Sequence, residues 1–137
     1  MRNRTEELTA RKLDAAAPES PPLVIGGQVL NELISDSQLE EIQQGVAAYI
    51  YKHSTQCPVS SLARKQVERF QQKHPEVQVY RLDVVEHRSL SDRVATNWGV
   101  RHESPQVLIV KGPQLLWSGS HFQVTLRKLE QQRSLLD

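Results

Sequence analysis

Apolar side chains recur along the chain in short runs separated by stretches with helix-like spacing. Residues 47–51 and 107–110 are continuous apolar runs of strand length, and residues 77–82 alternate and are rich in β-branched side chains. Such patterns are typical of strands that are buried on one or both faces. Two edge strands are predicted in addition, a short one near Val29 and Leu30 and a hairpin partner at residues 115–117.

Helix signals fall between the strands. Four helices are predicted, at about residues 37–45, 58–73, 89–98 and 124–136. Ser37 begins a capping-box pattern, and Gly45 can end the helix that follows. Ser89 is a capping residue, and Gly99 stands where a helix C-terminus favours glycine. Strands that alternate with helices favour parallel crossovers, and the closing hairpin adds an antiparallel edge, so the chain is predicted to be an α/β protein with a mixed sheet.

Composition fits one compact domain with a polar extension. The sequence has 137 residues, of which 38% are hydrophobic and 24% charged, which is slightly polar for a fully packed chain. Residues 15–22 read as a Pro-rich linker. Residues 1–26 are therefore predicted to be a disordered or extended tail, and residues 27–137 the folded domain.

Charge and hydropathy argue against nucleic-acid and membrane partners. Seventeen basic and sixteen acidic residues leave a formal charge of +1, which provides no field to attract nucleic acid or an anionic membrane. No apolar run approaches the roughly 18 residues of a transmembrane helix. The charged N-terminus lacks the apolar core of a secretory signal. The expected location is the cytoplasm, where thiols stay reduced.

Cys57 is the main candidate for chemistry. As the single cysteine it cannot form an internal disulfide, so it is either buried core filler or a working thiol. It follows a predicted strand after a short loop, and Pro58 after it suits the first turn of a helix. Because the free amides and partial positive charge of a helix N-terminus stabilise a thiolate, this position would lower the pKa of the thiol and make it a faster nucleophile.

Neighbours of Cys57 each allow two interpretations. Ser60 stands where a dithiol site holds its resolving cysteine, and since serine cannot close a disulfide, an outside thiol would have to resolve a mixed disulfide. The Ser60 hydroxyl either bonds the sulfur or is an ordinary first-turn group. Lys52 and His53 either place positive charge near the thiolate or near a small thiol's carboxylates, or form a solvated strand end. His53 and Cys57 alone provide too few ligands for zinc.

Ser104 and Pro105 form a second landmark, just before the strand at residues 107–110. A proline at a strand entry either starts the strand through a trans peptide bond or makes a tight turn through a cis bond. In the cis geometry the backbone of Ser104 could pair with a bound, extended thiol substrate.

Four segments of the sequence carry a family resemblance. They are Lys52-His53-Ser54-Thr55, Cys57-Pro58-Val59-Ser60, Glu86-His87-Arg88 and Gly99-Val100-Arg101-His102-Glu103-Ser104-Pro105-Gln106. Together they resemble the thioredoxin superfamily and, within it, the monothiol bacilliredoxins of the bacillithiol system. The likeness covers about residues 29–133. It implies a three-layer thioredoxin-like fold, in which helices cover both faces of a central mixed sheet.

The resemblance also implies roles for individual residues. It makes Cys57 the nucleophile and the Ser104–Pro105 bond cis. Taken with the positions of the residues around Cys57, it predicts Thr55, Pro58 and Ser60 as supporting residues. The predicted substrate-binding residues are Lys52, His53, Ser104 and Pro105. The substrate would be an S-thiolated client protein, with a low-molecular-weight thiol, bacillithiol, as co-substrate and with neither a bound cofactor nor a metal.

Other functions stay open at this point. Monothiol glutaredoxins, which carry iron–sulfur clusters, resemble the site in Cys-x-x-Ser and an upstream lysine, but have glycine where this chain has Pro58. A non-catalytic thioredoxin-like binding module would hold Cys57 buried and inert. The Thr-x-x-Cys spacing of a peroxiredoxin is absent, since Thr55 lies only two residues before Cys57.

Overall fold

Five strands and four helices alternate in the computed structural model, which describes residues 30–137. The strands are β1 (Asn31–Glu32), β2 (Ala47–His53), β3 (Val79–Asp83), β4 (Gln106–Lys111) and β5 (Gln114–Ser120). The helices are α1 (Asp36–Gln43), α2 (Pro58–Lys73), α3 (Arg88–Trp98) and α4 (Leu126–Gln131), and 3₁₀ turns occupy His121–Gln123 and Arg133–Leu136. The predicted order of elements is confirmed. The predicted tail, its boundary at residue 27 and Val29 of the first predicted strand lie outside the described residues.

The sheet is mixed, as predicted. Its strand order is β1-β3-β2-β4-β5. β3 runs parallel to both β1 and β2, whereas β4 runs antiparallel to β2 and to β5. Because β2 and β4 are antiparallel, the end of β2 and the start of β4 meet at one edge of the sheet, where Lys52 pairs with Gln106. The loop that carries Cys57 and the turn that carries Pro105 are thereby brought together.

Helices cover both faces of the sheet. On one face α1 and α3 pack against β2 and β4, through a cluster that includes Leu39, Ile42, Leu90, Val94, Ile50 and Leu108. On the other face α2 and α4 pack through a cluster that includes Ala63, Val67, Phe70, Leu129, Tyr51 and Ile109. The three-layer α/β architecture implied by the resemblance is confirmed.

The two tryptophans contribute unequally to these layers. Trp98 is buried, and its indole N–H donates to the Gly112 carbonyl oxygen at 2.9 Å. Trp117 is only partly buried against the cluster under α2. A buried indole needs such a partner because leaving its N–H unpaired would cost free energy.

Two predicted helix starts are wrong by one or two residues. The capping residue of α1 is Ser35 rather than Ser37: the Ser35 hydroxyl accepts from the Gln38 amide at 3.2 Å, and the Gln38 side chain accepts from the Ser35 amide at 3.1 Å. The same Ser-x-x-Gln/Glu spacing occurs at both serines, and the extended backbone at Ser35 decides between them. Helix α3 begins at Arg88, so Ser89 lies within its first turn, while Gly99 ends it in the left-handed conformation as predicted.

Candidate active site

Cys57 is the N-cap residue of α2. Strand β2 ends at His53, a three-residue turn follows, and Pro58 occupies the first turn of the helix. The Cys57 amide donates to the Ser54 carbonyl oxygen at 3.3 Å, which closes the turn. The thiol is free and half-buried. Cys57 is therefore not core filler, and its sulfur stands where the first-turn amides of α2 are unpaired.

The surroundings of the sulfur favour its ionised form. The Ser60 backbone amide lowers the pKa of the Cys57 thiol below its ordinary value, and the Val59 amide and Ser60 hydroxyl lower it further, while burial partly opposes them. The Cys57 side chain forms no capping hydrogen bond with α2. These groups therefore act on the sulfur as nearby donors. A lowered pKa raises the thiolate fraction at neutral pH, and the thiolate is the nucleophilic form.

Ser60 links the helix to the loop before it. It is fully buried in the first turn of α2, and its hydroxyl oxygen accepts from the Ser54 amide at 3.3 Å. This is the position predicted for it, three residues after Cys57. The hydroxyl thus holds the turn in place in addition to its effect on the sulfur.

The Ser104–Pro105 peptide bond is cis, as the resemblance implies. Pro105 is buried at the entry to β4, and its carbonyl oxygen accepts from the His121 amide at 2.9 Å. The Ser104 hydroxyl oxygen is buried and has no hydrogen-bond partner within the described part of the chain. Ser104 and Cys57 line the same cavity.

This cavity has a volume of about 310 Å³. Its walls come from the Cys57 turn, the segment after β3, the first half of α3 and the turn before Pro105. The lining residues are Ser54, Gln56, Cys57, Val84, Val85, Arg88, Ser91, Asp92, His102 and Ser104. One cation, one carboxylate, an imidazole and several hydroxyls therefore surround a space beside the sulfur.

Lys52 and His53 do not form a solvated strand end. Lys52 is 0% exposed and His53 is 5% exposed, on opposite faces of β2. His53 lies on the α2 side, where its Nδ1 is 2.8 Å from the Tyr51 hydroxyl. Burial is the main cause that lowers the pKa of His53, with Arg81 and Arg64 adding to it. Neither residue lines the cavity, so neither places its charge in direct contact with the Cys57 sulfur.

Lys52 nevertheless reaches the wall of the cavity. Its ammonium donates to the Ser91 carbonyl oxygen and to His102 Nδ1, both at 3.1 Å. Burial lowers the pKa of Lys52 from 10.5 to about 8, and the Asp92 carboxylate opposes this. Ser91 and His102 both line the cavity.

Two predicted site residues are exposed beside the cavity, and several residues that line the cavity were not predicted. Thr55 is exposed in the turn and lies outside the cavity lining, and Pro58 is exposed at the start of α2. The missed residues are Ser54, Gln56, Val84, Val85, Arg88, Ser91, Asp92 and His102. His102 and Arg88 belong to segments that carried the resemblance, whereas Ser91 and Asp92 gave no signal because only the packing of α3 brings them to the site.

Residues 30–137 contain no cluster of three histidine, cysteine or acidic side chains that could hold a metal ion. None of the helices in this range combines the length and apolar character that crossing a bilayer requires.

Comparisons with known proteins give a consistent result. Residues 31–129 match a family profile described as monothiol bacilliredoxin BrxC. A solved structure described as a proposed oxidoreductase with a thioredoxin fold is 31% identical, has a TM-score of 0.68, and is matched over 74% of this chain and 91% of that one. Mitochondrial thioredoxin 3 from Saccharomyces cerevisiae is 18% identical with a TM-score of 0.61, over 78% and 95% of the two chains. Thioredoxin from Trypanosoma brucei brucei is 9% identical with a TM-score of 0.65, over 85% and 99%. The two thioredoxins show a shared fold only.

Proposed function

The chain belongs to the monothiol bacilliredoxin family, and from that premise we propose that it removes a low-molecular-weight thiol, bacillithiol, from protein mixed disulfides through Cys57. The observation that carries this proposal is the position of the thiol. Cys57 is half-buried at the start of α2, beside a polar cavity, with groups that lower the pKa of its thiol. A serine occupies the place of a resolving cysteine.

The reaction we propose consists of two thiol–disulfide exchanges. The Cys57 thiolate attacks the small-thiol sulfur of the mixed disulfide, the old S–S bond breaks, and the client protein leaves as a thiolate that then takes up a proton. The small thiol is now disulfide-bonded to Cys57. A second small thiol loses its proton and attacks the small-thiol sulfur, which releases Cys57 as a thiolate and yields the symmetric disulfide of the small thiol. Ser60 cannot take over this second step because it has no thiol.

The cavity beside Cys57 suits the polar part of a small thiol. The guanidinium of Arg88 provides a site for a carboxylate, and Asp92 one for an amine. Ser104 also lines the cavity, and its buried hydroxyl has no partner in the described residues. We expect the client protein to lie against the turn that contains Ser104 and Pro105, and the reaction to take place in the cytoplasm with neither metal nor bound cofactor.

Mass spectrometry of the protein after reaction with a client tests the proposal. Incubation with a bacillithiolated protein should leave the client reduced and should increase the mass of Cys57 by one bacillithiol. Cys57→Ser should form no adduct under the same conditions. A glutathionylated form of the same client shows which small thiol is preferred. If the wild-type chain acquires no adduct from either client while a known monothiol enzyme does, the proposed function is wrong.

A further inference from the structure

A buried cation ends against the wall of the cavity. Lys52 is 0% exposed, and none of the ion pairs within residues 30–137 includes it. Its two hydrogen-bond partners are neutral acceptors, the Ser91 carbonyl oxygen and His102 Nδ1. Burying a charge that no ion pair neutralises is costly, and the Asp92 carboxylate acts on Lys52 only from beyond ion-pair distance. A hydrophobic side chain would fill this position at lower cost, so the ammonium calls for an explanation beyond packing.

The contact with Lys52 fixes the proton of His102. An ammonium group only donates, so His102 Nδ1 must accept, and the proton of the neutral imidazole is then on Nε2. Burial and the charge of Lys52 lower the pKa of His102, which keeps the ring neutral at pH 7. The pair therefore carries one positive charge, on Lys52, and the imidazole that keeps its proton on Nε2 belongs to the same cavity lining as Cys57.

We propose that Lys52 and His102 form a proton relay that protonates the thiolate leaving the cavity when Cys57 attacks a mixed disulfide. The inference rests on the proposed function. In the forward step His102 Nε2–H gives its proton to the leaving sulfur, and Nδ1 takes one from the Lys52 ammonium. Lys52 is left as a neutral amine that accepts a hydrogen bond from Nδ1–H. In the second exchange the incoming small thiol returns a proton by the same route, so protons balance over the cycle and His102 never becomes an imidazolate.

The charges around the pair set its proton affinity close to that of a thiol. Burial opposes the protonated form of both residues, and the Asp92 carboxylate on α3 favours it. For His102, Lys52 and Arg88 also oppose protonation, and Glu103 also favours it. The pKa of Lys52 is about 8, near the ~8.5 of an ordinary thiol. A lysine with its usual pKa of 10.5 would hold its proton too strongly to pass it to a leaving thiolate of that basicity.

Leaving groups of different acidity test the relay. Two mixed disulfides of bacillithiol are compared, one with a cysteine peptide and one with 5-thio-2-nitrobenzoate, whose acidic aryl thiol departs without needing a proton. His102→Gln should slow release of the peptide by about 10²-fold, at the low end of general acid catalysis, and leave release of the aryl thiolate nearly unchanged. Lys52→Met should likewise slow release of the peptide and leave release of the aryl thiolate nearly unchanged. The double variant should release the peptide no more slowly than either single variant.

Alkylation and matched variants distinguish loss of the relay from other causes of slower thiol release. Reaction of Cys57 with iodoacetamide releases no thiol, so its rate should be the same in His102→Gln as in the wild type. Lys65→Met and His121→Asn change exposed residues outside the cavity and should leave both releases unchanged. His102 is exposed enough that its variant is expected to fold even if Lys52→Met does not.

Each contrary result has a distinct meaning. Equal slowing with both leaving groups, slower alkylation, or no change in His102→Gln would overturn the relay while the wild-type chain remains an active thiol exchanger. If the wild-type chain releases neither leaving group, the proposed function itself fails, and the relay fails with it.

Discussion

The two faces of β2 each bury a polar side chain, and the two side chains have different roles. Lys52 and His53 are neighbours in the chain, and both are almost fully buried. Because successive side chains of a strand point to opposite faces, His53 enters the layer under α2, whereas Lys52 enters the layer under α3. In the sequence the two residues form one basic pair, but in the structure they belong to two separate networks.

The network under α2 is closed and neutral. The Tyr51 hydroxyl donates to the Ser60 carbonyl oxygen at 2.9 Å. Since that hydroxyl has one proton, its 2.8 Å contact with His53 Nδ1 must be donated by the imidazole. The chain His53–Tyr51–Ser60 thus ties β2 to the first turn of α2, where Cys57 is the N-cap. The bonds that link its three members all lie inside the protein, which is typical of a structural network.

The network under α3 is charged and ends at the cavity. Lys52 bonds His102, which is exposed and lines the cavity beside Cys57. The comparison indicates that one face of the strand positions the thiol and the other face serves the substrate. It follows that breaking the first network should mainly cost stability, and breaking the second should mainly cost activity.

Tyr51→Phe should produce the largest loss of stability. It leaves the His53 Nδ1–H without a partner in a buried layer and removes one bond from the Ser60 carbonyl oxygen, which stays bonded in the backbone ladder of α2. Since one unpaired buried group costs about 1–3 kcal/mol and a lost hydrogen bond about 1 kcal/mol more, we expect the free energy of unfolding to fall by about 2–4 kcal/mol. Urea denaturation of the wild-type and variant proteins measures this loss.

Tyr49→Phe is the matched control on the same face. Its hydroxyl donates only to the Leu129 carbonyl oxygen, at 2.8 Å, so a smaller loss of about 1–2 kcal/mol is expected. If Tyr51→Phe costs no more than Tyr49→Phe, the His53–Tyr51–Ser60 chain does not act as one network.

The pH dependence of stability should reveal the buried charge under α3. Burial gives Lys52 a pKa of about 8 in the folded state, against 10.5 ordinarily. Between these values the unfolded chain holds one more proton than the folded chain, so stability rises with pH, by no more than about 1.4 kcal/mol per pH unit. Below pH 8 the penalty is fully present and stays constant.

Lys52→Met isolates this contribution. The difference in unfolding free energy between the wild type and Lys52→Met should shift in favour of the wild type as pH rises from 8 to 10. Measurements stop at pH 10 because burial raises the pKa of Tyr49 and Tyr51, which lowers stability above that pH. A difference that stays constant from pH 8 to 10 would show that Lys52 titrates normally.

The sequence predicted the arrangement of elements well because each signal was local. The apolar run at residues 47–51 became β2, and α2 has the predicted bounds of Pro58 to Lys73. Within α2, however, polarity alone does not show which side chains are buried. Leu62 is 58% exposed, while Ser60 and Ala63 are buried. A small polar residue was buried here because its position in the first turn, against Ser54 and Tyr51, outweighs its polarity.

The site was predictable only where the chain itself carried the information. The location of Cys57 followed from a strand, a loop and a proline, all adjacent in sequence. The position of Lys52 did not, because a lysine at a strand end is ordinarily solvated, and its partners come from α3 and from the turn before Pro105. Those contacts span 39 and 50 residues, so no local pattern could indicate them.

Ser60→Ala should have the smallest effect on activity, because the Ser60 amide, the main cause of the lowered Cys57 pKa, remains and only the hydroxyl, which also accepts from the Ser54 amide, is lost. Its carbonyl and amide remain, while the hydroxyl that lowers the pKa of Cys57 is removed. The pKa of the thiol should therefore rise, and alkylation at pH 7 should slow by about two- to fivefold as the thiolate fraction falls. The rates should converge at a pH where both thiols are ionised. Ser61→Ala, an exposed neighbour on the same helix, should leave the pH profile unchanged. A profile of Ser60→Ala that superimposes on that of the wild type would show that the backbone amides of Ser60 and Val59 alone set the reactivity of Cys57.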